Sequence, residues 1–244
     1  MNEIIENINR IKDRIAATCE RVGRQPNEVQ LLLATKTVPP ERIAIALKAG
    51  HTLIAENKVQ ELKEKFEALK SVPHTSHFIG HLQTNKIKDI IRYGVSCIQS
   101  VDRLDLAEKL QQRLQTTHQT MDVLLQVNTS GEKSKFGVSA AEAIGLAKAV
   151  SQLDTLKIKG LMTIGLFSAE TARVRDCFRL LRTIKQEIEG LQLPGVSMQE
   201  LSMGMSGDFE TAIEEGATII RVGTSVFGQR KTPDSYYWNE GGPS

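Results

Sequence analysis

The 244-residue sequence predicts an α/β fold: a (β/α)8 TIM-type barrel with an extra N-terminal helix. Three observations predict it. Eight short apolar runs of strand length recur along the chain, amphipathic stretches separate them, and the first run is followed by TKTVPP rather than GxGxxG. The last removes the dinucleotide-binding form of the open doubly wound sheet, the main rival with the same alternation.

The elements follow in order. Ile4, Ile8, Ile11, Ile15 and Val22 lie close to helical spacing, and this first helix stops at Gly23 with Pro26 beyond. Val29 to Ala34 (VQLLLA) is the first strand, and Pro39 and Pro40 open a helix that ends at Gly50. Further runs stand at 52–55 (TLIA), 77–80 (HFIG), 95–99 (VSCIQ), 122–127 (DVLLQV), 158–164 (IKGLMTI), 199–203 (QELSM) and 218–222 (TIIRV). Between them, Lys58 to Lys70 (KVQELKEKFEALK) interleaves both charges and reads as a solvated helix face. Ser139 with Glu142 has the capping-box spacing of a helix start, and Val174, Phe178, Leu181, Ile184 and Ile188 mark one helical face. Residues 1–230 are expected to form one barrel, followed by a C-terminal tail over 231–244.

Composition narrows the function. Lys plus Arg number 31 and Asp plus Glu 29, a formal charge of +2 that supplies no field for binding nucleic acid or an anionic membrane. MNEIIENINRIKDRI has no uninterrupted apolar stretch, so neither a secretory signal nor a membrane span is expected, and the protein is expected in the cytoplasm. Cys19, Cys97 and Cys177 are far apart and lack metal-ligand spacing; they are expected as core thiols, with no metal site.

Barrel enzymes place chemistry at the C-terminal ends of their strands. Lys36 follows the first run, where burial disfavours the charged ammonium and leaves an amine able to attack a carbonyl. The competing reading is a lysine that reaches the barrel rim. After the seventh and eighth runs come SMGMSGD (Ser202 to Asp208) and RVGTSVFG (Arg221 to Gly228). Their glycines, Gly204 and Gly223 among them, let backbone N–H groups approach phosphate oxygens, and the hydroxyls of Ser202, Ser206 and Thr224 add donors. Met203 lies within the same loop. An amine facing a phosphate anchor across a barrel mouth suits an aldehyde cofactor held by its phosphate.

Arg221, penultimate in TIIRV, is expected to point inward, either to the pyridine nitrogen of such a cofactor or to a carboxylate such as Glu56 or Glu200. Asn57 suits the cofactor's phenolic oxygen or the cap of the next helix. His81 either faces the cofactor or is structural; His74 and His77 nearby show no acid partner or zinc spacing. The loop NTSGEKSKFG (Asn128 to Gly137) belongs to the mouth, without a catalytic role.

LLLATKTVP around Lys36, IAENKVQE at 54–61, HFIGHLQTNK at 77–86, VNTSGEKSKFG at 127–137, GLMTIG at 160–165, LSMGMSGDFETAIEEGAT at 201–218 and RVGTSVFG at 221–228 resemble the pyridoxal phosphate homeostasis proteins. The resemblance implies the fold-type III barrel of the alanine racemase N-terminal domain. It implies pyridoxal 5'-phosphate as an aldimine on Lys36, phosphate contacts from Ser202, Gly223 and Thr224, and Arg221 at the pyridine nitrogen. It implies a role in vitamin B6 balance, affecting amino-acid and keto-acid pools, with pyridoxal-phosphate-dependent apo-enzymes or regulators as partners. A slow racemase or decarboxylase is the alternative. Racemases of this fold add a second domain and a partner's tyrosine; here the chain ends shortly after Gly228, and its three tyrosines are Tyr93, Tyr236 and Tyr237. The expectation is therefore a monomeric holder of the cofactor, with no certain catalytic residue. A phosphate-binding barrel without pyridoxal chemistry is the third reading.

Overall fold

The computed structural model describes residues 2–166 and 168–229, so the expected tail, with Tyr236 and Tyr237, lies outside the described residues. Helix α1 (Glu3–Arg21) opens on Asn2, whose side chain accepts the Ile4 N–H at 3.0 Å, and Glu3 and Glu6 set negative charge against the helix N-terminus. Ile4, Ile8, Ile11 and Ile15 are buried as their spacing predicts. Val22 does not continue that face. It lies just past the helix and is 38% exposed, because the chain turns at Gly23 with φ +70°.

Strands and helices then alternate: β1 (Gln30–Ala34), α2 (Pro40–Lys48), β2 (Leu53–Glu56), α3 (Val59–Leu69), β3 (Thr75–Phe78), α4 (Ile87–Arg92), β4 (Val95–Val101), α5 (Leu104–Thr117) and β5 (Met121–Asn128). After the two-residue β6 (Val138–Ser139) come α6 (Ala143–Val150), β7 (Leu156–Met162), α7 (Thr171–Gly190), β8 (Val196–Ser202), α8 (Phe209–Glu214), β9 (Ile219–Val222) and α9 (Thr224–Phe227). All pairings are parallel. The order β4-β3-β2-β1-β9-β8-β7-β5 closes on itself through β4 and β5, giving the eight-stranded barrel, with β6 paired only to the end of β5.

Boundaries move where polar residues interrupt the apolar runs. β3 begins at Thr75, and β8 begins at Val196 because Ser197 and Gln199 turn exposed side chains outward. The capping pair behaves differently from expectation. α6 starts at Ala143, and the Ser139 hydroxyl donates to the Glu142 carboxylate at 2.5 Å, closing a turn instead of capping the helix. Lys65 is the other departure: in the charged stretch read as solvated, it is only 8% exposed.

The main core lies between the barrel and its helices, and all three cysteines are buried and free. Strand alternation sends Leu33, Ile54 and Ile220 to that layer while Leu32, Ala55 and Ile219 meet inside the barrel; Cys97, Leu124 and Met162 form a second inner cluster. The helix after β9 is only four residues long among the described residues. α1 packs against α2, α8 and α9, closing the outer ring where a longer eighth helix would stand. Among the described residues, no helix is long and apolar enough to cross a membrane, and no cluster of His, Cys, Asp or Glu could hold a metal.

Candidate cofactor site at the barrel mouth

The inward register of the strands carries side chains to the C-terminal mouth. On β1 the alternation of Leu32 and Ala34 continues to Lys36, two residues beyond the strand end. Thr35 extends the ladder by donating its N–H to Ala55 O at 2.9 Å, Val38 N–H closes onto Thr35 O at 2.9 Å, and Thr37 takes φ +65°. A threonine there is strained, so neighbouring contacts must hold the turn. β1 lies between β2 and β9. The ends of those two neighbours carry Asn57 on one side of Lys36, and Arg221, Gly223 and Thr224 on the other.

Asn57 does not cap α3, whose N-cap is Lys58; its Oδ1 is buried with no hydrogen-bond partner. The chain after β3 passes so close that a Cβ on Gly80 would stand 1.8 Å from Asn57 O, which fixes glycine there and sets His81 beside the mouth. The His81 ring stacks on Phe136 at 4.0 Å between centroids and 16° between planes. Its Nδ1 lies 4.0 Å from Asp102 Oδ2, an acid that HFIGH alone does not reveal. The loop bearing Phe136 is tied down by Gln126 Nε2 donating to Phe136 O (3.1 Å) and by Lys135 Nζ donating to Gly165 O (2.8 Å).

Arg221 points into the barrel, 5% exposed, and pairs with neither Glu56 nor Glu200. It donates to Ser202 Oγ at 2.8 Å and to Thr163 O at 2.7 Å, both neutral oxygens. Burial pulls its pKa down to about 10, opposed by the Asp208 carboxylate, so the guanidinium stays charged at neutral pH. Ser202, fully buried, donates onward to Gln99 Oε1 at 2.6 Å, and the Gln99 amide meets His77 Nδ1 at 2.8 Å. A guanidinium can only donate, which sets the direction of the whole chain: the Ser202 hydroxyl donates its hydrogen bond to Gln99, and the Gln99 NH2 faces an accepting, neutral His77. Burial independently pulls His77 down to about 4. Gln99, His77 and Thr163 join the site through these contacts, although no motif marks them in the sequence. The signal for Gln99 was a polar residue on the inward register of an otherwise apolar run.

The β8–α8 and β9–α9 loops meet beside Arg221. Arg221 N–H donates to Gly204 O at 3.0 Å, and Thr224 Oγ1 donates to Ser206 Oγ at 3.1 Å. Met203 is fully buried, and Met205 N–H donates to Asp208 Oδ1 at 2.5 Å, rounding the loop. Gly204 has φ +91°, and a Cβ there would fall 2.6 Å from Ala212 Cβ.

The chain is similar to known proteins over nearly its whole length. The pyridoxal phosphate homeostasis protein of Aquifex aeolicus (strain VF5) is 44% identical over 226 residues, 93% of this chain and 98% of its own. That of Escherichia coli (strain K12) is 38% identical over 233 residues, 94% and 98% of the two chains. The chain belongs to the pyridoxal phosphate homeostasis protein family. Residues 4–231 also match the alanine racemase N-terminal domain. PipY of Synechococcus elongatus PCC7942, solved with pyridoxal phosphate bound, superposes with TM-score 0.78 at 35% identity, covering 89% of this chain and all of PipY. An alanine racemase of Clostridium difficile 630, 13% identical with TM-score 0.71, covers 96% of this chain and 58% of its own, and shares the fold. The barrel fold is thus common ground between this family and the racemases.

Proposed function

We propose that this chain holds pyridoxal 5'-phosphate in the cytoplasm, covalently on the Lys36 amine, and keeps that form of vitamin B6 in balance rather than running a defined turnover. The observation that carries the reading is the ladder β2-β1-β9, which sets Asn57, Lys36 and the Arg221–Thr224 segment side by side at one barrel mouth. The donor set fits the group. Asn57, whose buried Oδ1 has no protein partner, suits the phenolic oxygen, to which its NH2 would donate, and buried Arg221 suits the pyridine nitrogen. Ser206, Gly223 and Thr224 suit the phosphate, with Met203 and Gly204 shaping the loop. Ser202 serves by holding Arg221 through its hydroxyl. His81, stacked on Phe136, borders the ring site.

Bound pyridoxal phosphate supplies an aldehyde for amine exchange and a ring that withdraws electrons. A permanently charged arginine at the ring nitrogen donates a hydrogen bond without giving up its proton, which limits that withdrawal. Tyr93, the one tyrosine among the described residues, packs on Phe66 at 5.1 Å in the helical layer, so it offers no second base at the mouth. The reading adds a monomeric chain that exchanges cofactor with pyridoxal-phosphate-dependent apo-enzymes or regulators.

Purified protein loaded with pyridoxal phosphate is expected to absorb in the visible and, after borohydride, to carry the mass of the reduced cofactor on Lys36. Lys36→Ala should keep the circular dichroism of the parent and lose the adduct. Adduct in the variant equal to that of the parent overturns the Lys36 assignment, and sustained racemisation of an amino acid well above free cofactor favours an enzyme.

A further inference from the structure

The turn that carries Lys36 rests on a buried ionic cluster that the charge pattern of α3 conceals. Glu61 and Lys65 stand i,i+4 on α3, the spacing of an ordinary surface pair, yet Lys65 faces the barrel wall and meets Glu56 at the end of β2. The Lys65 ammonium has three donors, and each has an acceptor: Thr35 O at 2.8 Å, Glu56 Oε1 at 2.7 Å and Glu61 Oε2 at 2.7 Å. Glu61 Oε2 also accepts the Thr37 N–H at 2.6 Å, and Thr35 Oγ1 donates to Glu56 Oε1 at 2.5 Å.

The residues on both sides of Lys36 are therefore tied to one cluster. Thr35 is held at its carbonyl and its hydroxyl, Thr37 at its amide in the left-handed region that a threonine does not choose on its own. Buried ion pairs seldom repay their desolvation as net stability, so conformation is the better account of what this cluster accomplishes. Burial pushes Glu56 up to about 7, with Lys65 opposing, which marks how dry the cluster is.

We propose that Lys65 is a positioning residue: directly through Thr35, and through Glu61 on Thr37, it locks the turn that presents the Lys36 amine to its aldehyde. The inference rests on the cofactor reading above. When the amine condenses with the aldehyde carbon, the carbonyl oxygen departs as water and a carbon–nitrogen double bond forms, so the nitrogen must approach along a defined line. A turn free to relax at Thr37 loses that line while the barrel stays intact.

Three variants test it beside the parent: Lys65→Met, Glu61→Ala and Glu61→Gln. The first removes the charge and keeps the stem; the second removes the acceptor for Thr37 from a half-buried position, so it folds even if the first does not. The third keeps an oxygen for the Thr37 N–H and is the rescue. In apo protein, amide hydrogen exchange at Thr37 is expected to rise about tenfold in Glu61→Ala, the scale of one charge-assisted hydrogen bond, with strand amides unchanged. With pyridoxal phosphate as the probe, the dissociation constant should rise about tenfold in Glu61→Ala and in Lys65→Met, and recover in Glu61→Gln. The visible band of the bound cofactor should shift in the first two variants alone. Faster exchange at Thr37 with unchanged loading and spectrum overturns the proposal, as does unchanged exchange. A parent protein that takes up no pyridoxal phosphate defeats the cofactor reading itself, whereas a parent that loads no better than Glu61→Ala defeats only the positioning role.

Discussion

Lys36 and Arg221 differ in what holds them: the first stands on a turn tied to charged groups, the second is threaded through neutral ones. The chain from Arg221 through Ser202 and Gln99 ends on His77, which must accept and so must stay neutral. That requirement has a cost in acid. With its pKa lowered to about 4 by burial, His77 binds a proton more readily in the unfolded chain than in the folded one at every pH between its ordinary 6.5 and 4. Stability from this group is thus present above 6.5 and lost as pH falls through that window, about 2 kcal/mol of it between pH 7 and pH 5. His77→Asn removes the titration, so urea unfolding at the two pH values should show the parent losing about 2 kcal/mol more than the variant. Equal losses in both proteins would mean that His77 protonates in place.

At the scale of elements, the β8–α8 loop separates conformational strain from contact. Gly204 and Gly50 share nearly the same φ, +91° and +89°, but a Cβ at Gly50 meets nothing within 4 Å while one at Gly204 meets Ala212 Cβ at 2.6 Å and Phe209 Cα at 3.0 Å. Gly50→Ala should cost about 1 kcal/mol from backbone strain alone, and Gly204→Ala about 3 kcal/mol, because α8 must move as well. Denaturant melts of the two variants give the difference, and similar costs would show that α8 yields freely. The strands were legible because barrel strands are buried on both faces and read as apolar runs, as VQLLLA does. Their ends were not: Thr75 and Ser197 are ordinary polar residues that only the ladder assigns to β3 and β8. The mouth was half legible for the same reason. Lys36, Arg221 and the glycine loops stand out at strand ends, whereas Gln99 and Lys65 look like surface residues until the barrel closes around them.

For the whole molecule, the question is what closes the ring beside the β8–α8 and β9–α9 loops. α9 is a single short turn, and its carbonyl at Val226 accepts from Asn7 Nδ2 of α1 at 3.0 Å. The ion pairs Arg14–Glu210 and Arg21–Glu214 join α1 to α8, yet both arginines are about half exposed, at 48% and 55%. Exposed pairs of this kind contribute about 0 to 1 kcal/mol, while burying an isoleucine contributes roughly 1.5 to 3 kcal/mol. Apolar burial by Ile4, Ile8, Ile11 and Ile15 therefore outweighs the charges in holding α1 to the barrel. Ile8, fully buried, is the sharpest probe. Ile8→Ala should lower the unfolding free energy by about 2 to 5 kcal/mol, and Arg14→Ala by less than about 1 kcal/mol, a gap that added salt widens slightly by screening the exposed pair. Thermal melts of both variants at low and high ionic strength decide it. A loss in Arg14→Ala as large as in Ile8→Ala would mean that α1 is held by charge, and with it the short turn that carries Thr224.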